Sequence, residues 1–234
     1  MGAILKRELI GFFKNPSGYF ILAIYALLSA LFFNLFVILN STSYMGGYFG
    51  IWLTLVSMIV VSVLSMRFFS EEKKHKTDQL ILTSPLGLNA LVLGKFFGGM
   101  IVYTAATLLN LIYVVIIDWF GKADYGLVCA NLLGTLLLGA CLISIALFVS
   151  SLTESSIGAA AGTFAVFFLM MMADFVAVFL PSGIRTVVAR LNIFLEYTNF
   201  MNGEISLASV IYYLSLTALF LFLSVRIIER RRWR

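Results

Sequence analysis

The residues of this 234-residue chain that could perform chemistry are few and scattered. Asp, Glu, Lys and Arg make up 12% of the sequence, and the single histidine, His75, lies among lysines. General acid–base catalysis needs two titratable groups in one sheltered site, and a metal site needs a cluster of His, Cys, Asp or Glu. The sequence contains no such grouping, no phosphate-binding Gly-rich loop and no nucleophile motif. We therefore predict that the chain is not an enzyme and has no catalytic residue, metal or cofactor of its own.

Asp174 is the one carboxylate well inside an apolar segment, and a few asparagines also lie in such segments. A carboxylate inside a membrane-spanning segment is a candidate for a transport pathway, because burying a charge in lipid is costly. Asp174 lies near the end of its segment, so contact with water or capping of a neighbouring helix is also an open interpretation. Asn34 is a second candidate for a pathway or gate. Hydrogen bonding between helices is the commoner role of such residues, including Asn110 and Asn131.

The composition indicates the environment that must hold these residues. Hydrophobic residues form 62% of the chain, against about 45–50% in soluble domains. A single water-exposed globule cannot bury that excess, which excludes a soluble enzyme, a nucleic-acid-binding protein and a disordered chain. The net charge of +5 would fit an anionic partner, but basic residues in a membrane protein first report orientation. The lipid bilayer is therefore the first predicted partner.

Uncharged runs predict the membrane spans, because a helix needs about 20 apolar residues to cross a bilayer. A polar, Gly-rich stretch over 40–50 divides the longest run in two. The predicted spans cover about 18–39, 51–66, 91–117, 126–150, 155–180 and 205–227. The fold class is therefore an all-α polytopic membrane protein with six transmembrane helices, a single domain over residues 1–234.

The distribution of Lys and Arg predicts the orientation of the six spans. With the N terminus inside, all of the 16 Lys and Arg residues except Lys122, Arg185 and Arg190 lie on the cytoplasmic side. An excess of basic residues in cytoplasmic loops is the general rule for membrane proteins. We therefore expect both termini to be cytoplasmic.

Residues 3–14 form a predicted amphipathic helix before the first span. Leu5, Leu9, Phe12 and Phe13 recur at helical spacing, with Lys6, Arg7 and Lys14 elsewhere around the helix. Such a helix lies on the membrane surface. A simple basic flank that sets topology is the alternative.

The loop between spans two and three is the longest predicted cytoplasmic element. A charged cluster over 71–76 is followed by Thr77 and Asp78, which are typical N-cap residues, and Pro85 stops the short helix that they begin. This helix carries an apolar block outside the membrane. A partner protein that docks there explains the block, and burial against the protein's own surface is the alternative. The apolar block and the polar pair before Pro85 are Leu80, Ile81, Leu82, Thr83 and Ser84.

Two further elements complete the predicted architecture. In the turn between spans four and five, Thr153 with Glu154 is predicted to cap the next helix. Span five then begins with a GxxxG pair, Gly158 and Gly162, which permits close helix packing, and Gly94 and Gly98 repeat that spacing in span three.

Residues 181–204 are too polar to span the membrane and predict an outer interfacial or re-entrant helix between spans five and six. A re-entrant element could form an outer gate, and a surface-lying connector explains the pattern equally well. The apolar residues that share helical spacing here are Ile184, Val187, Val188, Leu191 and Leu195.

Several segments together resemble the membrane permeases of ABC type-2 exporters, in particular the gliding-motility-associated branch of bacteria. The sequence departs from that pattern at Lys76 and Gln79, where the family commonly has Gly and an acid. The segments that carry the resemblance are 67–73, 77–85, 93–96, 150–154, 200–203 and 212–234.

The resemblance implies a six-helix permease in the bacterial inner membrane, with an elbow helix over 3–14 and a coupling helix that inserts into a separate ATP-binding subunit. ATP and Mg²⁺ would be bound by that subunit. It further implies a second permease copy or paralogue, and an auxiliary membrane-anchored subunit. The residues that it assigns to ATPase coupling are Glu71, Glu72, Thr77, Asp78, Leu80, Ile81, Leu82, Thr83, Ser84 and Pro85.

The predicted function is therefore the translocation pathway of an ATP-driven exporter. A stand-alone membrane channel or scaffold without an ATPase is the alternative, and an ion exporter that uses Asp174 is a third possibility.

Overall fold

The computed structural model describes residues 2–14, 16–39, 47–74, 87–120, 124–177, 179, 181, 183 and 192–232. The α-helices run over Gly2–Lys14, Pro16–Phe33, Leu53–Ser65, Glu71–Lys74, Leu88–Leu108, Leu111–Phe120, Tyr125–Leu152, Ser156–Ala177, Ile193–Met201 and Leu207–Arg232. Three π-helical turns, Asn34–Ile38, Tyr48–Trp52 and Met66–Ser70, extend or precede these helices. No strand occurs in these described ranges.

Six helical segments are long and apolar enough to cross a membrane. These six spans, numbered in chain order, are Gly18–Ile38, Tyr48–Lys73, Leu88–Trp119, Tyr125–Leu152, Ser156–Ala173 and Leu207–Arg230. The predicted all-α polytopic membrane fold is confirmed.

The second span differs most from its predicted range. It continues past Arg67 to Lys73. Both side chains donate to backbone carbonyls of the protein, so the helix does not have to end where the first cation occurs.

Spans two and four form the centre of the bundle. Their most apolar windows are 75% and 72% buried, whereas no other span exceeds 39%. Span four can be central because small residues let its neighbours approach. A Cβ on Gly139 would clash with the ring of Tyr103 from span three, and a Cβ on Gly134 would lie 2.6 Å from Phe200. The outer spans surround this pair and expose apolar faces.

The ends of the bundle are defined by contacts between distant segments. Five segments lie together at one end. They are the helix Gly2–Lys14, the last turn of span two with Lys73, the first turn of span three, and the last turns of spans four and six. We name this end the basic face and the other end the opposite face. At the opposite face the side chain of Asn110 donates to Tyr25 at 2.8 Å and accepts from Tyr48 at 2.9 Å. These bonds tie spans one and two to the break in span three.

The helix Ile193–Met201 lies inside the bundle near the opposite face. The hydroxyl of Tyr197 is 3.0 Å from Oγ1 of Thr135. Thr135 lies about 15 Å along span four from its first residue, at a rise of 1.5 Å per residue. The Tyr213 hydroxyl also donates to the carbonyl of Ile193 at 2.5 Å. This segment therefore reaches membrane depth before Gly203, at φ 83°, turns the chain towards span six.

The buried face of this helix differs from the one predicted. Ile193, Tyr197 and Phe200 are buried, whereas Leu195, predicted on the apolar face, is 42% exposed. The helix begins after Asn192, whose side chain accepts from the backbone N–H of Phe194 at 2.9 Å. Because the helix begins at this cap, helical spacing counted from residues before Asn192 does not predict which of its faces is buried. The predicted positions over 184–191 lie outside the described residues.

Candidate functional site

A buried lysine forms the centre of the basic face. Lys95 of span three has a side-chain exposure of only 1%, and its Nζ lies 3.1 Å from Oε1 of Glu8 and 2.9 Å from Oε1 of Glu72. The same nitrogen donates to the carbonyl of Phe68 at 2.9 Å. All three ammonium protons therefore have acceptors. A buried charge is tolerated only when it is paired and hydrogen-bonded in this way.

Arg7 completes a four-charge cluster with Glu8, Glu72 and Lys95. Its Nη2 lies 2.9 Å from Oε1 of both carboxylates. Burial alone would raise the pKa of Glu8, but the charge of Lys95 and hydrogen bonds from Arg7 and Lys95 outweigh it and lower that pKa. Burial would likewise lower the pKa of Arg7, yet the two carboxylates raise it. Glu8 and Arg7 are therefore both ionised at neutral pH.

Two glycines beside Lys95 let the N-terminal helix Gly2–Lys14 come close. A Cβ on Gly94 would lie 2.7 Å from Cγ2 of Ile4, and one on Gly98 would lie 3.1 Å from Cβ of Glu8. Larger side chains would hold the helix away and prevent the contact between Glu8 and Lys95. The second glycine pair noted in the sequence thus seats the N-terminal helix on span three.

Arg67 makes a second connection between the N-terminal helix and span two. Its Nη2 donates to the carbonyl of Gly11 at 3.1 Å, and its guanidinium lies 4.6 Å from the ring centroid of Phe12. Its Nε is 3.6 Å from Oε2 of Glu71. Of the two acids predicted in the coupling segment, Glu71 is thus paired with Arg67, whereas Glu72 belongs to the four-charge cluster.

Lys73 joins the end of span two to the end of span four. Its Nζ donates to the carbonyls of Ser150, Ser151 and Thr153 at 3.3, 2.5 and 2.9 Å. The last carbonyls of a helix have no intrahelical donor, and a cation there also interacts favourably with the helix dipole. The Ser150 hydroxyl is also 2.7 Å from that of Ser70. The last turn of span four is thereby held against span two.

We expect Lys73→Ala to lower the free energy of unfolding by about 1–2 kcal/mol, because three carbonyls at a helix end lose their cation. Thermal denaturation in detergent micelles measures this change. Lys6→Ala, which removes an exposed cation from the middle of the N-terminal helix, is the matched control and should change stability by less than about 0.5 kcal/mol. Equal stability of the two variants would contradict the assigned role of Lys73.

The turn between spans four and five differs from its prediction. The Thr153 hydroxyl donates to the carbonyl of Val149 at 3.2 Å, and Glu154 is exposed. The Ser155 hydroxyl instead accepts from the backbone N–H of Gly158 at 3.3 Å. Ser155 is the cap because the helix begins one residue later, at Ser156.

The remaining predicted residues are not brought into one site. Asn34 is exposed at the start of a π-helical turn in span one. Asp174 lies in the helix Ser156–Ala177, and its side chain is outside the described part of the chain. A Cβ on Gly162 would lie 3.3 Å from Val149 of span four, whereas Gly158 faces only its own turn at Ser155. The coupling residues over 77–85 also lie outside the described residues.

Sequence reasoning missed Lys95 and Glu8 as partners. Lys95 served only as a boundary between a loop and a span. One signal was available, because Glu8 is the only acidic residue before Glu71 and interrupts a basic amphipathic helix. A single acid in such a position indicates a specific partner, but sequence does not name that partner across 87 positions.

Comparison with known families decides which kind of membrane protein carries this site. Residues 33–228 match the family model described as ABC-2 family transporter protein. The chain belongs to the ABC-2 transporter family. Members of this family are membrane permease subunits of ABC transporters, and membership implies association with an ABC ATP-binding subunit. No match to a curated protein was found.

The four-charge cluster extends beyond the region that matches the ABC-2 family. Glu72 and Lys95 lie within residues 33–228, whereas Arg7 and Glu8 precede them. In this ABC-2 permease, the N-terminal helix is thus connected by charge to the part of the chain that carries the family resemblance. Among the residues that the structure describes, no group of His, Cys, Asp and Glu could hold a metal ion.

Proposed function

We propose that this chain is the permease subunit of an ATP-driven bacterial exporter of the gliding-motility-associated branch, and that it forms the translocation pathway with a second permease. The four-charge cluster carries the proposal. Glu72 lies in the last turn of span two, at the start of the predicted coupling segment, and its carboxylate is bonded to both Lys95 and Arg7. A force applied to this segment would therefore act at once on span three and on the N-terminal helix.

The proposed orientation has the basic face in the cytoplasm of the bacterial cell, so that the permease lies in the inner membrane with both termini inside. The positive-inside rule supports it, because Lys73, Lys95 and Arg226 all belong to this face. A cytoplasmic ATP-binding subunit would then meet the permease where the charge network lies.

In the proposed mechanism, ATP and Mg²⁺ bind to the partner subunit, and hydrolysis takes place there. Closure of the partner pushes on residues 71–85. Lys73 transfers the displacement to the end of span four through three backbone carbonyls, and Glu72 transfers it to span three. Coupling between distant sites needs an element with two arrangements that both sites bias. The interface between two permeases, with an auxiliary membrane-anchored subunit beside it, is the candidate for that element.

The test replaces the apolar block of the coupling segment in the full-length chain, coexpressed with the ATP-binding protein encoded by a neighbouring gene. Leu80→Asp with Leu82→Asp should abolish copurification of the ATPase, because two carboxylates cannot enter an apolar pocket without a large desolvation cost. When the two subunits are purified separately and mixed, ATP hydrolysis should show no dependence on cargo.

The matched control places the same substitutions at the opposite face, at Ile205 and Leu207, which are 56% and 78% exposed. That variant should keep the ATPase bound. Retention of the ATPase by the Leu80 and Leu82 variant would contradict the assigned coupling segment. A wild-type chain that binds no ATPase would favour a stand-alone channel or scaffold.

A further inference from the structure

A groove of about 600 Å³ lies at the basic face, between the first turns of span three and the last turns of span six. Its volume is within the range of about 300–1,000 Å³ that is common for small-molecule sites. The groove is separate from the four-charge cluster, because none of the four charged residues lines it.

The walls of the groove change from apolar to polar along the two helices. Val92 of span three faces Leu221 and Phe222 of span six in the apolar part, whereas Arg226 and Glu229 line the end. From Leu221 to Glu229 the distance along the helix is about 12 Å. An amphiphile with an apolar chain and a polar headgroup matches this gradient.

The polar end of the groove favours an anion. Arg226 bonds to Oε2 of Glu229 through Nη1 at 2.8 Å, and its guanidinium lies 5.0 Å from the ring of Phe222. A guanidinium has five N–H donors, so one bond to Glu229 leaves donors for a second acceptor. Residues 226–232 contain four arginines and one glutamate, and a basic cluster at the end of a membrane helix attracts anionic lipids.

The first turn of span three lines the same end of the groove. Gly87 is the N-cap residue and supplies no side-chain acceptor, and Leu88 and Asn89 follow it along the wall. The first N–H groups of a helix have no intrahelical acceptor and favour a negative charge. Because Arg226 and Glu229 form an ion pair, their charges cancel. The net positive charge at this end comes from the first N–H groups of span three and from Arg230, Arg231 and Arg232, which follow along span six.

We propose that the groove binds one anionic phospholipid from the leaflet at the basic face. Its phosphate lies between Arg226 and the first turn of span three, and an acyl chain packs along Val92, Leu221 and Phe222. Apolar burial would hold any phospholipid, whereas the positive charge selects an anionic headgroup. Lipid binding at this site does not require the ATP-binding partner, so it can be tested separately from the proposed coupling.

The test uses the purified full-length chain in detergent, with phosphatidylglycerol and phosphatidylcholine of identical acyl chains offered in equal amounts. Native mass spectrometry counts the lipids retained. We expect the wild type to retain phosphatidylglycerol in preference, and Arg226→Gln to reduce its retention about tenfold, the loss expected for one charged hydrogen bond. Leu221→Trp, which fills the apolar part, should reduce retention of both lipids. Lys6→Gln, an equal loss of charge on the exposed surface of the N-terminal helix, should have no effect.

Each contrary outcome overturns the proposal. Equal retention of the two lipids by the wild type would mean that the groove does not select charge. Unchanged phosphatidylglycerol retention in both Arg226→Gln and Leu221→Trp would mean that the lipid binds elsewhere. Loss of ATPase association in Arg226→Gln with unchanged lipid retention would assign the groove to a protein partner. Arg226→Lys, which keeps the charge, provides a folded comparison if Arg226→Gln is unstable.

Discussion

Replacing Lys95 with Met should lower the free energy of unfolding by about 3–5 kcal/mol, the cost of removing one partner from a buried ion pair. Glu8 and Glu72, which are only 12% and 17% exposed, would both lose this cation. The carbonyl of Phe68 would also lose its donor. Denaturant titration of the purified permease in micelles measures the change.

A second expected result for Lys95→Met concerns coupling. The variant should still bind the ATP-binding subunit, because the docking segment itself is unchanged, but cargo transport should no longer follow ATP hydrolysis. A transport assay in proteoliposomes with simultaneous phosphate release separates these two effects. This combination distinguishes a transmission role for the cluster from a docking role.

The control for Lys95→Met is Lys6→Met, which removes an exposed cation from the N-terminal helix and should change stability by less than about 0.5 kcal/mol. The double variant Glu8→Gln with Lys95→Met should recover part of the loss, since one uncompensated carboxylate is removed with its partner. Coupling energies between groups in contact are typically about 0.5–3 kcal/mol. Strict additivity of the two substitutions would contradict the pairing of Glu8 with Lys95.

Gly134→Leu should be the second most damaging substitution, with a cost of about 3 kcal/mol, the upper end for overpacking a core. A Cβ at this position would lie 2.6 Å from both Cβ and Cγ of Phe200, so the new side chain must displace the helix Ile193–Met201. The bond between Tyr197 and Thr135 would then be lost. Thermal denaturation should report the loss of stability, and amide hydrogen exchange should accelerate over residues 193–201.

The matched control is Gly47→Leu, because a Cβ on Gly47 meets nothing within 4 Å. This variant should denature near the wild-type temperature and leave the exchange of residues 193–201 unchanged. Normal exchange in Gly134→Leu would mean that the helix does not lie against span four, and its position at membrane depth would be wrong.

Much of the fold could be predicted because the bilayer imposes a strong constraint on sequence. A span must be apolar for about 20 residues, and its backbone must satisfy its own hydrogen bonds as a helix. These two requirements predicted six spans before any contact was known, although span two continues to Lys73, beyond its predicted end. Hydropathy placed that end near Arg67, since it assigns the same cost to every cation and has no information on which cations find acceptors.

The candidate site could be predicted only in part. Residues 71–76 were predicted as a charged cluster, but the partners of Glu72 and Lys73 lie far away in the sequence. Glu8 and Lys95 are 87 positions apart, and Lys73 and Thr153 are 80 positions apart. No local pattern specifies such pairs. Capping of the fifth span was also misassigned, by two residues, because Thr153, Ser155 and Ser156 are all chemically competent caps and the exact start of a helix depends on packing.

A six-span helical membrane protein could be predicted from the amino-acid sequence, and its motifs already resembled the ABC type-2 permeases. Both conclusions follow from properties of single segments, namely the number of consecutive uncharged residues and the order of residue types. Three features are visible only in the folded chain: Lys95 is buried among carboxylates, Lys73 binds the end of span four, and the helix Ile193–Met201 packs within the bundle. These features depend on contacts between segments that are remote in sequence. A glycine permits close packing, and a charge forms an ion pair, only when the partner segment lies beside it.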